Sequence, residues 1–180
     1  MPQIFAIVGP SGTGKDTLIA GALALRPDIR VVRRVITRPS EAGGEPFEGI
    51  SESAFQRRLA AGEFAIDWQA HGLRYGIPAE QLVGDVVLFN GSRVGLPAAV
   101  DRLPGLVVVL VTAPVAVLAQ RLAARGRETA ADIAARLERA GFDLPAGITP
   151  RVVVNDGTAE EGVRRLLAAL QPDVLDPVRG

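Results

Sequence analysis

The chain has 180 residues, 48% of them hydrophobic, and its 20 basic and 20 acidic residues cancel to a formal net charge of zero. That length suits one domain with its own core, and the neutral balance removes any electrostatic case for a nucleic-acid or membrane-surface partner. There is no cysteine, which excludes disulfides and thiolate metal sites; with no signal peptide and no membrane-length apolar run, a cytoplasmic monomer or homodimer is expected.

QIFAIV (3–8) predicts a first buried strand, followed by GPSGTGKDT (9–17) and a helical stretch, TLIAGALAL (17–25). RVVRRVI (30–36) predicts a second strand. From Thr37 to Glu80 the chain is richer in glycine and polar groups. It holds a short helical pattern, ESAFQRRLAAG (52–62), then FAIDWQAHGLRYG, which reads as a small hairpin or meander. This segment is an insertion suited to a second substrate. DVVLFN (85–90), LVVVLV (106–111) and RVVVN (151–155) predict three further strands, β-branched and bounded by Gly, Pro or Asp. Helical patterns cover 93–103 (interrupted by Pro97), 115–125, 130–140 and 159–170. Strand–helix alternation implies an α/β domain with a parallel central sheet, whose ligands bind at the carboxyl ends of the strands. The first such end is GPSGTGKDT.

Those nine residues nearly match the phosphate-binding pattern G-x-x-x-x-G-K-[ST]. Gly9, Pro10, Ser11, Gly12, Thr13 and Gly14 form a loop whose backbone N–H groups would cage phosphate oxygens. The helix that follows adds partial positive charge, and Lys15 is placed to bridge the outer phosphates. Of the 20 basic residues 19 are arginine, and the single lysine is Lys15. The chain thus keeps its one compact ammonium where a phosphate loop needs it. The next position normally carries a metal-holding hydroxyl; here it is Asp16. A carboxylate in a first helical turn gains about 0.3–1 kcal/mol from the helix dipole, yet it repels a triphosphate unless a cation lies between them. Mg²⁺ accepts carboxylate oxygen. Asp16 is therefore the metal candidate, either as a direct ligand or through a metal-bound water. Thr17 offers a hydroxyl one position later, rotated by about 100° around the helix. Phosphate-loop enzymes often hold the metal with a second acidic residue at the end of another core strand; the corresponding end here is Asn90. The expectation is that Asp16 restores that charge from the loop side, with ATP and Mg²⁺ as ligands.

Phosphoryl transfer also requires groups that hold the acceptor and offset the charge of the moving phosphate. Arg38, in ITRP, lies just past the second predicted strand. Arg125 and Arg136 flank GRETAADIAA, a polar stretch with a glycine hinge that suits a lid. The candidate catalytic residues are Lys15, Arg38, Arg125 and Arg136. Arg33, Arg34, Arg57, Arg58, Arg164 and Arg165 read as solvated faces. His71, the only histidine, reads as a hairpin or acceptor-site polar group. Trp68 and Tyr75 are the only Trp and Tyr, and Tyr75 is within reach of an acceptor phosphate.

These segments resemble the guanylate kinase superfamily: GPSGTGKDT, VITRP, SESAFQRRLAAGEFAIDWQAHGLRYGIP, VLAQRLAARGRE, IAARLERA and VVVND. The resemblance implies an α/β P-loop NTPase of nucleoside-monophosphate-kinase type. Its five-stranded parallel sheet would be flanked by helices within one domain, 1–180. That domain would include an acceptor-binding insertion (37–80), a lid region (125–136) and a tail (171–180). It further implies that Arg38 grips the acceptor phosphate and that Arg125 and Arg136 are lid arginines. The departures all fall on the acceptor side. Glu41 stands where the superfamily has a second arginine, Phe47 where it has a tyrosine, and Ile77 where a hydroxyl helps to read guanine. The guanine-reading glutamate has at best an offset Asp67. Loss of hydrogen-bonding groups in a buried site is a severe handicap to reading a base.

GPSGTGKD, RVITR, WQAHGLRYG and VLFNGSR are similar to a narrower group, the ribose 1,5-bisphosphokinase family of phosphonate degradation. In that family Asp after the loop lysine is normal. This similarity implies ATP-dependent phosphorylation of ribose 1,5-bisphosphate at its 1-phosphate, giving 5-phosphoribosyl 1-diphosphate. Both partners would be small molecules, ATP and a sugar bisphosphate. It makes Arg74 and Arg93 candidates for acceptor phosphates, and Asn90 and Ser92 candidates for sugar hydroxyls. Two alternatives stand beside it: a nucleoside monophosphate kinase, guanylate kinase included, and a non-catalytic guanylate kinase-like module that binds protein partners.

Overall fold

The structure is a computed structural model that describes residues 2–10, 12–40, 46–126, 128–140 and 142–171. β1 (Gln3–Val8) is apolar on both faces: Phe5 and Ile7 enter one buried cluster, while Ile4, Ala6 and Val8 enter another. Such a strand needs cover on both sides, as in a parallel sheet. The elements that follow are α1 (Lys15–Leu25), β2 (Ile29–Val31), β3 (Arg34–Ile36), β4 (Phe47–Gly49), α2 (Glu52–Ala60), β5 (Phe64–Ala70), β6 (Leu73–Pro78) and β7 (Val86–Asn90). Then come α3 (Leu96–Arg102), β8 (Val107–Thr112), α4 (Val115–Ala123), α5 (Ala130–Ala140), β9 (Arg151–Val154) and α6 (Ala159–Ala169).

Five of these strands make a parallel sheet in the order β2-β7-β1-β8-β9. Residues of α1 and α6, Leu18, Ala22, Val163 and Leu166, cover one face with Phe5, Ile7 and Val109. A second sheet, β4-β3-β6-β5, contributes Ile66, Trp68 and Ile77 to the cover of the other face, where they join Ala6, Val8 and Phe89. The far side of this second sheet is closed by α2, whose Phe55 is fully buried and stacks on Phe64 at 4.7 Å. Ser51 caps α2 by accepting a hydrogen bond from the Ala54 N–H. Among the described residues no helix is long and apolar enough to cross a membrane.

Two expectations change. The predicted strand 30–36 is divided between the sheets. β2 stays on β7 as far as Val31, and the Gln81 side chain then takes both backbone groups of Arg33. Its Oε1 accepts from the Arg33 N–H at 2.7 Å and its Nε2 donates to the Arg33 carbonyl at 3.0 Å. These bonds stand in for sheet partners, so the chain leaves the first sheet and enters the second as β3. Pro97 does not interrupt α3; it sits in the first helical turn, where a missing N–H costs nothing. FAIDWQAHGLRYG forms the hairpin β5–β6, turned by His71 at φ 53° and Gly72 at φ 73°. Ser11, Glu41 and the tail after residue 171 lie outside the described residues.

Candidate active site

The loop Gly9–Gly14 joins the carboxyl end of β1 to α1. Gly14, at φ 83°, is the left-handed residue from which α1 departs. Gly9 has no room for a side chain, because a Cβ there would lie 2.1 Å from the Val111 carbonyl oxygen. Thr13 is buried, and its hydroxyl donates to the Pro10 carbonyl at 3.0 Å. Two residues outside the motif brace this loop, and the sequence reading passed over both roles. Asn155 Nδ2 donates to the Thr13 carbonyl at 2.7 Å. Arg121 donates to the Asn155 carbonyl at 2.8 Å and to the Gly12 carbonyl at 3.4 Å.

The Lys15 ammonium folds back over the loop, donating to the Gly9 carbonyl at 2.6 Å and the Pro10 carbonyl at 3.4 Å. Burial lowers its pKa from the ordinary lysine value; the Asp16 carboxylate opposes that shift and Arg34 adds to it. Asp16 lies in the first turn of α1. The register Ile7↔Asn90 brings the carboxyl end of β7 beside the loop, and Asn90 Nδ2 donates to Asp16 Oδ1 at 3.1 Å. Asp16, expected to restore the charge that Asn90 lacks, is thus in direct contact with it. Among the described residues no group of three or more His, Cys, Asp or Glu side chains could hold a metal. The single Asp16 carboxylate fits Mg²⁺, which typically takes one or two carboxylates and completes its octahedron with substrate phosphates and water. Thr17 is exposed and one step further around the helix.

On the acceptor side, Arg38 is half-buried with its guanidinium carbon 5.0 Å from the centroid of Phe47, which is buried beneath it. With Thr37, Gly49, Ser51 and Glu52 it lines a cavity of about 380 Å³. Thr37 ties this segment to β6: its hydroxyl accepts from the Arg74 N–H at 2.9 Å and its N–H donates to the Arg74 carbonyl at 3.1 Å. Tyr75 stacks on Trp68 with centroids 5.4 Å apart and planes 2° from parallel. Arg34, read from the sequence as a solvated residue, is half-buried instead, with its guanidinium carbon 5.1 Å from the Tyr75 centroid. Burial pulls its pKa down to about 10; Tyr75 and Asp16 pull it up, and Arg38 pushes it down.

Ser92 sits in the turn after β7, its hydroxyl accepting from the Val94 N–H at 3.4 Å. Arg93 is exposed, with its guanidinium carbon 4.5 Å from the Phe142 centroid. Arg74 lies over Phe55 at 5.4 Å and faces Asp67 at 3.7 Å. Asp67 also faces Arg102 at 3.9 Å. Arg125 is exposed beyond α4. Arg136 on α5 is exposed and donates to both Glu128 carboxylate oxygens at 2.9 Å. Among the described residues neither lid candidate hydrogen-bonds to the phosphate loop. Ile77 is fully buried in the apolar cluster beneath the second sheet, so this position offers a base no hydrogen-bonding side chain.

No family model matches the chain. It is 52% identical over 173 residues to a bifunctional ribose 1,5-bisphosphokinase–thymidine phosphorylase from Azorhizobium caulinodans, an alignment covering 92% of this chain. The chain spans 25% of that relative's length, so the comparison concerns one part of a longer protein. It is also 48% identical over 182 residues to the ribose 1,5-bisphosphate phosphokinase PhnN of Pseudomonas fluorescens, covering 93% of this chain and 94% of the relative. The chain belongs to the ribose 1,5-bisphosphate phosphokinase family. Among solved structures, a guanylate kinase from Anaplasma phagocytophilum superposes with a TM-score of 0.61 at 20% identity, covering 96% of this chain and 88% of that one. At that identity the likeness concerns the fold alone, which is the guanylate kinase-like P-loop fold.

Proposed function

We propose that this family member transfers the γ-phosphoryl group of ATP to the 1-phosphate of ribose 1,5-bisphosphate, forming 5-phosphoribosyl 1-diphosphate. An oxygen of the 1-phosphate forms the new bond to the γ-phosphorus. The bond from that phosphorus to the β–γ bridging oxygen breaks, and ADP leaves with the electron pair. The loop N–H groups and Lys15 hold the donor phosphates, which is most of what phosphoryl transfer asks of a protein. Asp16, held by the Asn90 amide, would hold Mg²⁺, whose chemistry when bound is to neutralise phosphate charge. Arg38 orients the acceptor, with Tyr75, Asn90, Ser92 and Arg93 around the sugar bisphosphate. Arg125 and Arg136 reach the transferring group when the lid closes.

The observation that carries the acceptor's identity is Ile77. A fully buried isoleucine stands where the superfamily resemblance puts a guanine-reading hydroxyl, while the loop keeps Gly9, Gly14 and Lys15 of the phosphate-binding pattern. An acceptor with two phosphates and no base suits that division. Release of ADP from Mg-ATP should therefore be rapid with ribose 1,5-bisphosphate and about 10⁴-fold slower in kcat/KM with GMP, the scale on which a missing hydrogen-bonding set discriminates. Comparable rates with both would overturn the assignment.

A further inference from the structure

The register of the second sheet decides which side chains look into the site. Val35 pairs with Gly76, Ile36 with Tyr75 and Trp68 with Tyr75. Directly paired residues share a face, so Ile36, Tyr75 and Trp68 lie together. Arg34, two residues before Ile36, joins them. This is the face that carries Ile66, Trp68 and Ile77 into the cluster with Ala6, Val8 and Phe89. Arg34 thus places a half-buried guanidinium on a mostly apolar face.

The surroundings of Arg34 define what it can bind. Its guanidinium lies over Tyr75, which is in turn stacked on Trp68. It interacts electrostatically with Asp16 and Arg38, and its charge acts on Lys15. Arg34 is thus in electrostatic range of Lys15 and Asp16 on the loop side and of Arg38 on the other. Bringing two phosphates into contact builds up negative charge between those two points, and a cation held there offsets it. A planar guanidinium with its face set by an aromatic ring is also suited to grip two phosphate oxygens at once.

We propose that Arg34 is a ligand of the accepting phosphate, acting with Arg38 at the junction of donor and acceptor. The inference rests on the site being the acceptor site described above. Trp68 is the chain's only tryptophan and lies one ring away from Arg34, so its fluorescence reports occupancy without turnover. With Mg-ADP in the donor site, Arg34→Gln should weaken ribose 1,5-bisphosphate binding by about 10- to 100-fold, the usual loss for a hydrogen-bonded charge pair. Affinity for Mg-ADP should stay unchanged. Arg34→Lys keeps the charge and loses the fork, so its acceptor affinity should fall between the two; it serves as the test if Arg34→Gln does not fold. Unchanged acceptor affinity in a folded variant overturns the proposal, as does an equal loss of Mg-ADP affinity, which would mark a merely structural role. Should the unaltered protein ignore ribose 1,5-bisphosphate, the function above falls, and inorganic pyrophosphate becomes the probe. Weaker pyrophosphate binding by Arg34→Gln in the presence of Mg-ADP would still support the role, and equal binding would end it.

Discussion

Lys15→Ala should reduce kcat by about 10²–10³-fold or more, the scale seen when one donor to a developing oxyanion is removed. The chain has no second lysine to substitute, and the neighbouring cations are arginines on other elements. Lys15 also donates to the Gly9 and Pro10 carbonyls. Those bonds lie at a partly exposed loop, and net contributions of about 1 kcal/mol each are too small to threaten the fold. The variant should therefore melt cooperatively near the parent temperature while turnover collapses. A folded Lys15→Ala with near-parental kcat would remove the phosphate loop from the mechanism.

The second large effect concerns the metal. Asp16→Ser should raise the Mg²⁺ concentration needed for half-maximal activity by about 10- to 100-fold, the range for loss of a group that holds or orients a metal ligand. The contact between Asn90 Nδ2 and Asp16 Oδ1 at 3.1 Å means that the two side chains border the same space. A carboxylate placed at position 90 instead would face that space from β7. Asp16→Ser combined with Asn90→Asp should thus return the Mg²⁺ requirement close to that of the parent, although each substitution alone alters it. A folded double variant whose requirement stays as high as that of Asp16→Ser would refute the exchange.

Much of the fold was legible because its signals are local. The strands of the main sheet are short apolar runs between turn residues, and the bounds 130–140 for α5 match the structure. The division of 30–36 was not legible, because the side chain that decides it, Gln81, lies 48 positions away from Arg33. The candidate donor loop, 9–16, stands out in the sequence because its residues are consecutive and match one local pattern. Its bracing does not. Asn155 and Arg121 reach the loop across 142 and 109 positions, and no spacing rule announces such contacts. Arg34 was misread for a related reason. In RVVRRVI an arginine pair looks like a solvated face, and only the pairing of β3 with β6 turns one member inward. The candidate lid arginines, Arg125 and Arg136, sit at the opposite extreme. Their positions were read from polarity and a glycine hinge, and the structure leaves them at the surface, where a closing motion would have to bring them in.

The transfer is tested at its reacting atoms by ³¹P NMR of Mg-ATP with ribose 1,5-bisphosphate. Two mutually coupled diphosphate resonances should appear at the C1 position while the 5-phosphate monoester resonance persists. No change in the sugar phosphate resonances, or a diphosphate formed at the 5-position, would contradict that transfer.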